Sequence, residues 1–144
     1  MIVPDLNLLV YCFNASASEH SKAVAWWEGL LSSSSFVGVP WVVYVGFLRL
    51  MTGRHVLREP YAPQEVTDLV AEWFQIPSVR LLVPSEDTRR ILEDLIRKYD
   101  ISGGLVTDAA IVASAIEHNA TLHSNDTDFG RFTELQVHNP LAPA

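Results

Sequence analysis

The sequence holds a single cysteine, Cys12, among its 144 residues. One thiol excludes an intramolecular disulfide framework and fits a reducing cytoplasm. Lysine is nearly as scarce: Lys22 and Lys98 are the only two. Lys and Arg together number 10 against 17 Asp and Glu, a formal net charge of −7. That balance argues against a general nucleic-acid binder, whose phosphate contacts need a surplus of cations. An anionic partner would require a local reversal of sign, which a bound divalent cation supplies. No apolar run reaches the roughly 18 residues that span a bilayer. The opening MIVPDLNLLVYCF has no basic leader region, so neither a signal peptide nor a membrane partner is expected. The five histidines show no H-x-x-x-H spacing, and SGG at 102–104 is not followed by the Lys of a phosphate loop. No Ser–His–Asp arrangement stands out either.

What is present is apolar. Hydrophobic residues make up 49% of the chain, four of them Trp. That is ample for one domain over 1–144, and some apolar surface is left for a partner. IVP reads as a buried strand that turns helical after Asp5. Polar, cappable starts precede helical spacing in SEHSKAVAWWEGLL and SEDTRRILEDLIRKYDI, the latter with Ser85 as cap. WVVYVGFLRLMT reads as a buried helix, and APQEVTDLVAEWFQI as a helix with Pro63 near its start. LVTDAAIVASAIEHNA is an Ala-rich helix. FVGVP, VRLLVP, TLHS and LQVHNP read as strands. Strands alternating with helices imply an α/β fold with a mainly parallel sheet, whose sites form at the carboxyl ends of the strands.

That rule gives meaning to four aspartates. Asp5 falls at the end of the first strand, and Asp126 and Asp128 fall just past TLHS. Asp108 opens the helix leading into that strand. Each alone is what a cap or turn uses routinely. Together they place like charges at one sheet edge, which is costly unless one protonates or a cation compensates. Oxygen donors of this kind favour Mg²⁺ or Mn²⁺, which activate water and clamp phosphodiester oxygens.

At these residues the chain resembles a known family. VPDLNLLVY, VTDAAIVASAIEHNATLHSNDTDFGRF and LQVHNPL are similar to the PIN domain, specifically VapC-type toxins of toxin–antitoxin pairs. The resemblance spans essentially the whole chain. It implies a three-layer α/β/α sandwich and a metal-dependent endoribonuclease. It also implies a VapB-type antitoxin as silencing partner and a homodimer. It makes Asp5, Asp108 and Asp126 the Mg²⁺ or Mn²⁺ ligands, with Asp128 as a supporting acid. Ser124 becomes a hydroxyl beside the metal pocket, and Asn7 a buttress of the first-strand loop. One departure stands out. PIN domains usually carry a Glu on the helix after the second strand, and here Gly46 holds that place. No carboxylate occurs anywhere in residues 29–58. Some VapC-like sequences also read GFLR here, yet the acidic cluster is left one ligand short. A catalytically silent PIN fold that only binds is therefore the alternative. A phosphoryl-accepting receiver module is a further one, weakened because neither Lys22 nor Lys98 sits at a late strand end.

The cations of RLMTGRHVLR, namely Arg49, Arg54, His55 and Arg58, form a candidate RNA-phosphate or partner surface; the structural alternative is a solvated helix end with Arg49 ion-paired. Arg131 is expected to pair with the Asp128 carboxylate or touch substrate. Trp26 and Trp27 point about 100° apart on a helix, so one belongs at the rim, open to an antitoxin's apolar segment. Cys12 is expected in the core.

Overall fold

The computed structural model describes residues 1–143. Five short strands form the sheet: β1 (Ile2–Pro4), β2 (Val37–Pro40), β3 (Val79–Leu82), β4 (Thr121–His123) and β5 (Val137–His138). Six α-helices connect them: α1 (Leu6–Cys12), α2 (His20–Ser32), α3 (Trp41–Thr52), α4 (Pro63–Gln75), α5 (Glu86–Tyr99) and α6 (Leu105–Glu117). A 3₁₀ turn, Thr127–Arg131, joins β4 to β5. Every element expected from periodicity is there, and this turn is an addition to them. Its polar TDFGR composition carries no helical repeat for periodicity to detect.

The strand order is β3-β2-β1-β4-β5 and every neighbouring pair is parallel. Parallel neighbours need right-handed crossovers. From β1 to β2 to β3 the chain moves one way across the sheet, which puts α1 through α4 on one face. It then returns past β1 to β4 through α5 and α6, which cover the other face. The result is the three-layer α/β/α sandwich. The reversal leaves a topological switch point between β1 and β4, where α/β sheets open a crevice at their carboxyl edge.

The core follows from the strand composition. Val3, Val37, Val39 and Leu122 are fully buried under helices on both sides. On the α1–α4 face an aromatic cluster knits the layer. Phe47 of α3 lies 4.8 Å from Trp73 of α4 and 5.6 Å from Phe13, and Trp27 of α2 lies 5.4 Å from Trp73. Cys12 belongs to this core, its Sγ donating to the Leu8 and Ala23 carbonyls, and burial pushes the thiol up to about 12. A thiol so placed is inert. Helix α5 is tied to α6 at its start, where Ser85 caps the helix and both Ser85 and Thr88 donate to the Glu117 carboxylate. Among the described residues no helix is long and apolar enough to cross a membrane.

Phe47 is the joint of the aromatic cluster and is wholly buried. Phe47→Ala is expected to lower the unfolding free energy by about 3–5 kcal/mol in urea titration, since no neighbouring side chain is free to refill the space. A loss below about 1 kcal/mol would show that the cluster collapses onto the gap.

Candidate active site

Asp5 directly follows β1, in the position that would cap α1, yet its side chain makes no capping bond to the helix. It turns across the switch point instead. Its Oδ2 accepts from the Ser124 hydroxyl at 2.8 Å, and its amide donates to the His123 carbonyl at 2.9 Å. Ser124 directly follows β4, and its Oγ also accepts from the Asp126 amide at 3.0 Å. One serine thus holds the first aspartate and the loop carrying the third. The exposure of Asp5 is only 4%, and that of Ser124 2%. Burial pushes the Asp5 carboxyl up to about 6. The Ser124 bond and the Leu6 amide oppose that shift, and the nearby charges of Asp108 and Asp126 add to it.

Asp108 lies in the first turn of α6, where the helix dipole favours an acid. Its carboxyl is raised by partial burial and then by the charges of Asp126 and Asp128, while Arg131 lowers it. Asp126 caps the 3₁₀ turn, accepting from the Asp128 amide at 2.9 Å, so its structural and functional readings coexist. Asp128 itself is exposed. Asp5, Asp108 and Asp126 therefore come together electrostatically at one sheet edge, with Asp128 at its rim. Among the described residues no three His, Cys, Asp or Glu side chains already stand at chelating distance of one point. The donor set is nonetheless all carboxylate, and its most buried member is held unfavourably charged at neutral pH.

Three expectations need correction. Asn7 is exposed in the first turn of α1 and makes no side-chain hydrogen bond among the described residues, so the buttress of the loop is Ser124 instead. Arg131 does not pair with the Asp128 carboxylate; its Nε donates to the Asp128 main-chain carbonyl at 3.1 Å, which leaves its charge to act on Asp108. Arg49 is exposed and has no acidic partner among the described residues, so the ion-paired alternative for it fails. Arg54, His55 and Arg58 are exposed on the loop after α3. By contrast Arg89, Arg90, Arg97 and Lys98 are all matched to acids.

Sequence reasoning missed one group. Trp27 is buried and Trp26 half-buried, but Trp26 is not a bare rim residue. Its indole N–H donates to His123 Nδ1 at 3.0 Å, and His123 faces His138 of the neighbouring strand with ring centroids 5.0 Å apart. Burial, helped by the charge of His138, pushes His123 down to about 4. His123 stands one residue before Ser124, so this lock fixes the strand end that positions the site.

At Gly46 an added Cβ would stand 2.8 Å from Leu6 Cδ2. The place where the resemblance expects an acid is therefore occupied from the other side by the residue after Asp5.

Comparison with known proteins agrees with this geometry. The profile of the PIN domain family matches residues 2–135. Ribonuclease VapC33 of Mycobacterium tuberculosis is 36% identical over 141 residues, 98% of this chain and 99% of that protein. Ribonuclease VapC37 of the same organism is 33% identical over 142 residues, 99% of each chain. Among solved structures, VapBC2 from Rickettsia felis bound to a promoter DNA fragment superposes with a TM-score of 0.70 at 19% identity, covering 96% of this chain and 98% of that one; it shares the fold.

The raised Asp5 and lowered His123 carry opposite pH signatures. Asp5 titrates higher folded than unfolded, so its contribution is most favourable below about pH 4 and is lost as pH rises through about 6. His123 titrates lower folded than unfolded, so its contribution is present above about pH 6.5 and is lost as pH falls toward 4. Asp5→Asn is expected to match wild type in metal-free thermal unfolding near pH 4. It should exceed wild type by roughly 1–3 kcal/mol at pH 7. A variant less stable than wild type at pH 7 would show that the Asp5 charge is compensated within the fold.

Proposed function

This chain belongs to the PIN domain family and stands with its VapC ribonucleases, and from that premise we propose that it is the toxin of a VapBC-type pair, an endoribonuclease that hydrolyses RNA phosphodiesters with Mg²⁺ or Mn²⁺. The observation that carries the reading is the buried Asp5 carboxylate, held across the switch point by Ser124 and crowded by Asp108 and Asp126. A hard divalent cation relieves that crowding and draws its ligands from oxygen donors such as these.

Asp5, Asp108 and Asp126 would hold the ion, with Asp128 supporting from the rim. When bound, the ion supplies an activated water and a clamp on the phosphodiester oxygens. The protein's part is placement. Ser124 fixes the orientation of Asp5, and its acceptance of the Asp126 amide couples the two ligands. The α6 dipole favours the ionised form of Asp108. Arg131 sets a positive charge beside Asp108, where it restrains the loop and meets an incoming phosphate. Arg49, Arg54 and Arg58, opposed in sequence only by Glu59 and ion-paired to no acid among the described residues, give an acidic protein a local surface for the RNA backbone. The same acidic pocket suits an arginine side chain of a VapB-type antitoxin, which would silence the enzyme by taking the cation's place. A homodimer fits the apolar surplus, and a cytoplasmic location fits an enzyme that acts on RNA and carries a single buried thiol.

The test is cleavage of transfer and ribosomal RNA by the purified chain in Mg²⁺ or Mn²⁺. Activity is expected to vanish in EDTA and to fall below about 1% in Asp5→Asn. Ser124→Ala should lose about 10- to 100-fold while retaining its fold by circular dichroism, because it orients a ligand rather than being one. Cleavage that survives both EDTA and Asp5→Asn would overturn the reading.

A further inference from the structure

The α3 wall of the acidic edge contains a cavity of about 290 Å³, lined by Leu6, Trp41, Gly46, Arg49 and Thr107 among others. Leu6 follows Asp5 in the chain and Thr107 precedes Asp108, so the cavity lies one residue from two of the proposed ligands. Its wall at Gly46 is closed by Leu6, whose Cδ2 would stand 2.8 Å from a Cβ at that position.

The lining is unlike the core. Trp27 and Trp73 are 4% and 3% exposed, whereas Trp41 is 46% exposed at the mouth of the cavity. Its ring rests tilted against Tyr44 at 5.5 Å, and Tyr44 in turn meets Phe74 edge-on at 5.9 Å, so the indole is backed by aromatic contacts. Arg49 lies further along the same helix, exposed, with no acidic partner among the described residues. Thr107 adds a hydroxyl. An aromatic plane, an apolar floor and one free guanidinium are what an unpaired nucleotide needs: stacking for the base and a cation for its phosphate. A purely apolar protein segment would leave Arg49 desolvated and unmatched. A phosphate-bearing occupant satisfies it.

We propose that this cavity is the subsite for the nucleotide adjoining the scissile phosphodiester, with its base stacked on Trp41 and its phosphate held by Arg49. The inference rests on the ribonuclease reading and adds to it the place where the enzyme meets an unstacked base. It makes the substrate single-stranded or looped at the cleavage point, since a paired base cannot reach an indole plane.

The experiment uses the full chain with Asp126→Asn, which stops turnover, and a fluorescein-labelled 12-nucleotide single-stranded RNA of mixed sequence. Anisotropy titrations compare this background with added Trp41→Ala, Trp41→Phe, Arg49→Gln and the remote control Arg90→Gln. Trp41→Ala is expected to weaken binding about 5- to 100-fold, while Trp41→Phe keeps most of it. Arg49→Gln should weaken binding and lower the slope of log affinity against log salt by about 0.7. Arg90→Gln should leave both unchanged. Cleavage assays of Trp41→Ala and Arg49→Gln in the otherwise wild-type chain complete the set. Wild-type cleavage with binding unchanged by either variant overturns the subsite and leaves the ribonuclease reading standing. So does a Trp41→Ala protein that changes its sedimentation coefficient while binding RNA normally, because Trp41 then belongs to an interface between copies. No RNA cleavage by wild type overturns the ribonuclease reading itself, and the subsite with it.

Discussion

The hydrogen bond from Ser124 to Asp5 ties the site to the fold. It joins the ends of β1 and β4, residues 119 positions apart in the chain, at the one place where the sheet changes direction. Everything else at the site is placed relative to it. The Asp126 amide reaches the same hydroxyl, the Asp128 amide reaches Asp126, and Arg131 returns to the Asp128 carbonyl. Buried Phe129 and Phe132 anchor this loop in the core, and the chain of bonds fixes its polar edge as a rim. The carboxylate at its root is buried at a free-energy cost that the fold accepts because the surrounding sheet and helices supply a large apolar core.

The charge layout follows the same logic of local exceptions. Over the whole surface acids outnumber bases, and helix α5 spends its own cations in pairs with neighbouring acids three or four residues away. Such exposed pairs add little stability. Their effect is to leave the unmatched arginines concentrated at the end of α3 and the loop beyond it. An acidic protein thereby keeps general nucleic-acid attraction low while retaining local patches of uncompensated cations.

Much of this was legible in the sequence. Hydrophobic period and strand-ending polar residues gave the five strands and six helices, and the α/β alternation gave the parallel sheet and the edge on which Asp5, Asp108 and Asp126 meet. What stayed hidden was side-chain direction. Asn7 sits in a motif that suggests a buttress, but it lies in the exposed first turn of a helix, and Ser124 across the sheet does that work. Arg131 is three residues from Asp128, which suggests an ion pair, but a 3₁₀ turn brings its guanidinium to a carbonyl. The Trp26–His123 bond joins residues 97 positions apart, beyond the reach of any local pattern. Gly46 read as a lost ligand, and only the fold shows that Leu6 fills the place of its side chain.

The Trp26 indole has a consequence for the imidazole it touches. By donating to Nδ1 of His123 it fixes the neutral tautomer, with the ring proton on Nε2. A metal binding at Nε2 would have to displace that proton to Nδ1 and break the indole bond. The two imidazoles on β4 and β5 face each other at a distance that could otherwise attract zinc, nickel or copper, the ions that imidazole selects. A cation that engaged His123 would therefore have to break the indole bond first, and the strand that delivers Ser124 to the carboxylates is held at its end by a tryptophan 97 positions away.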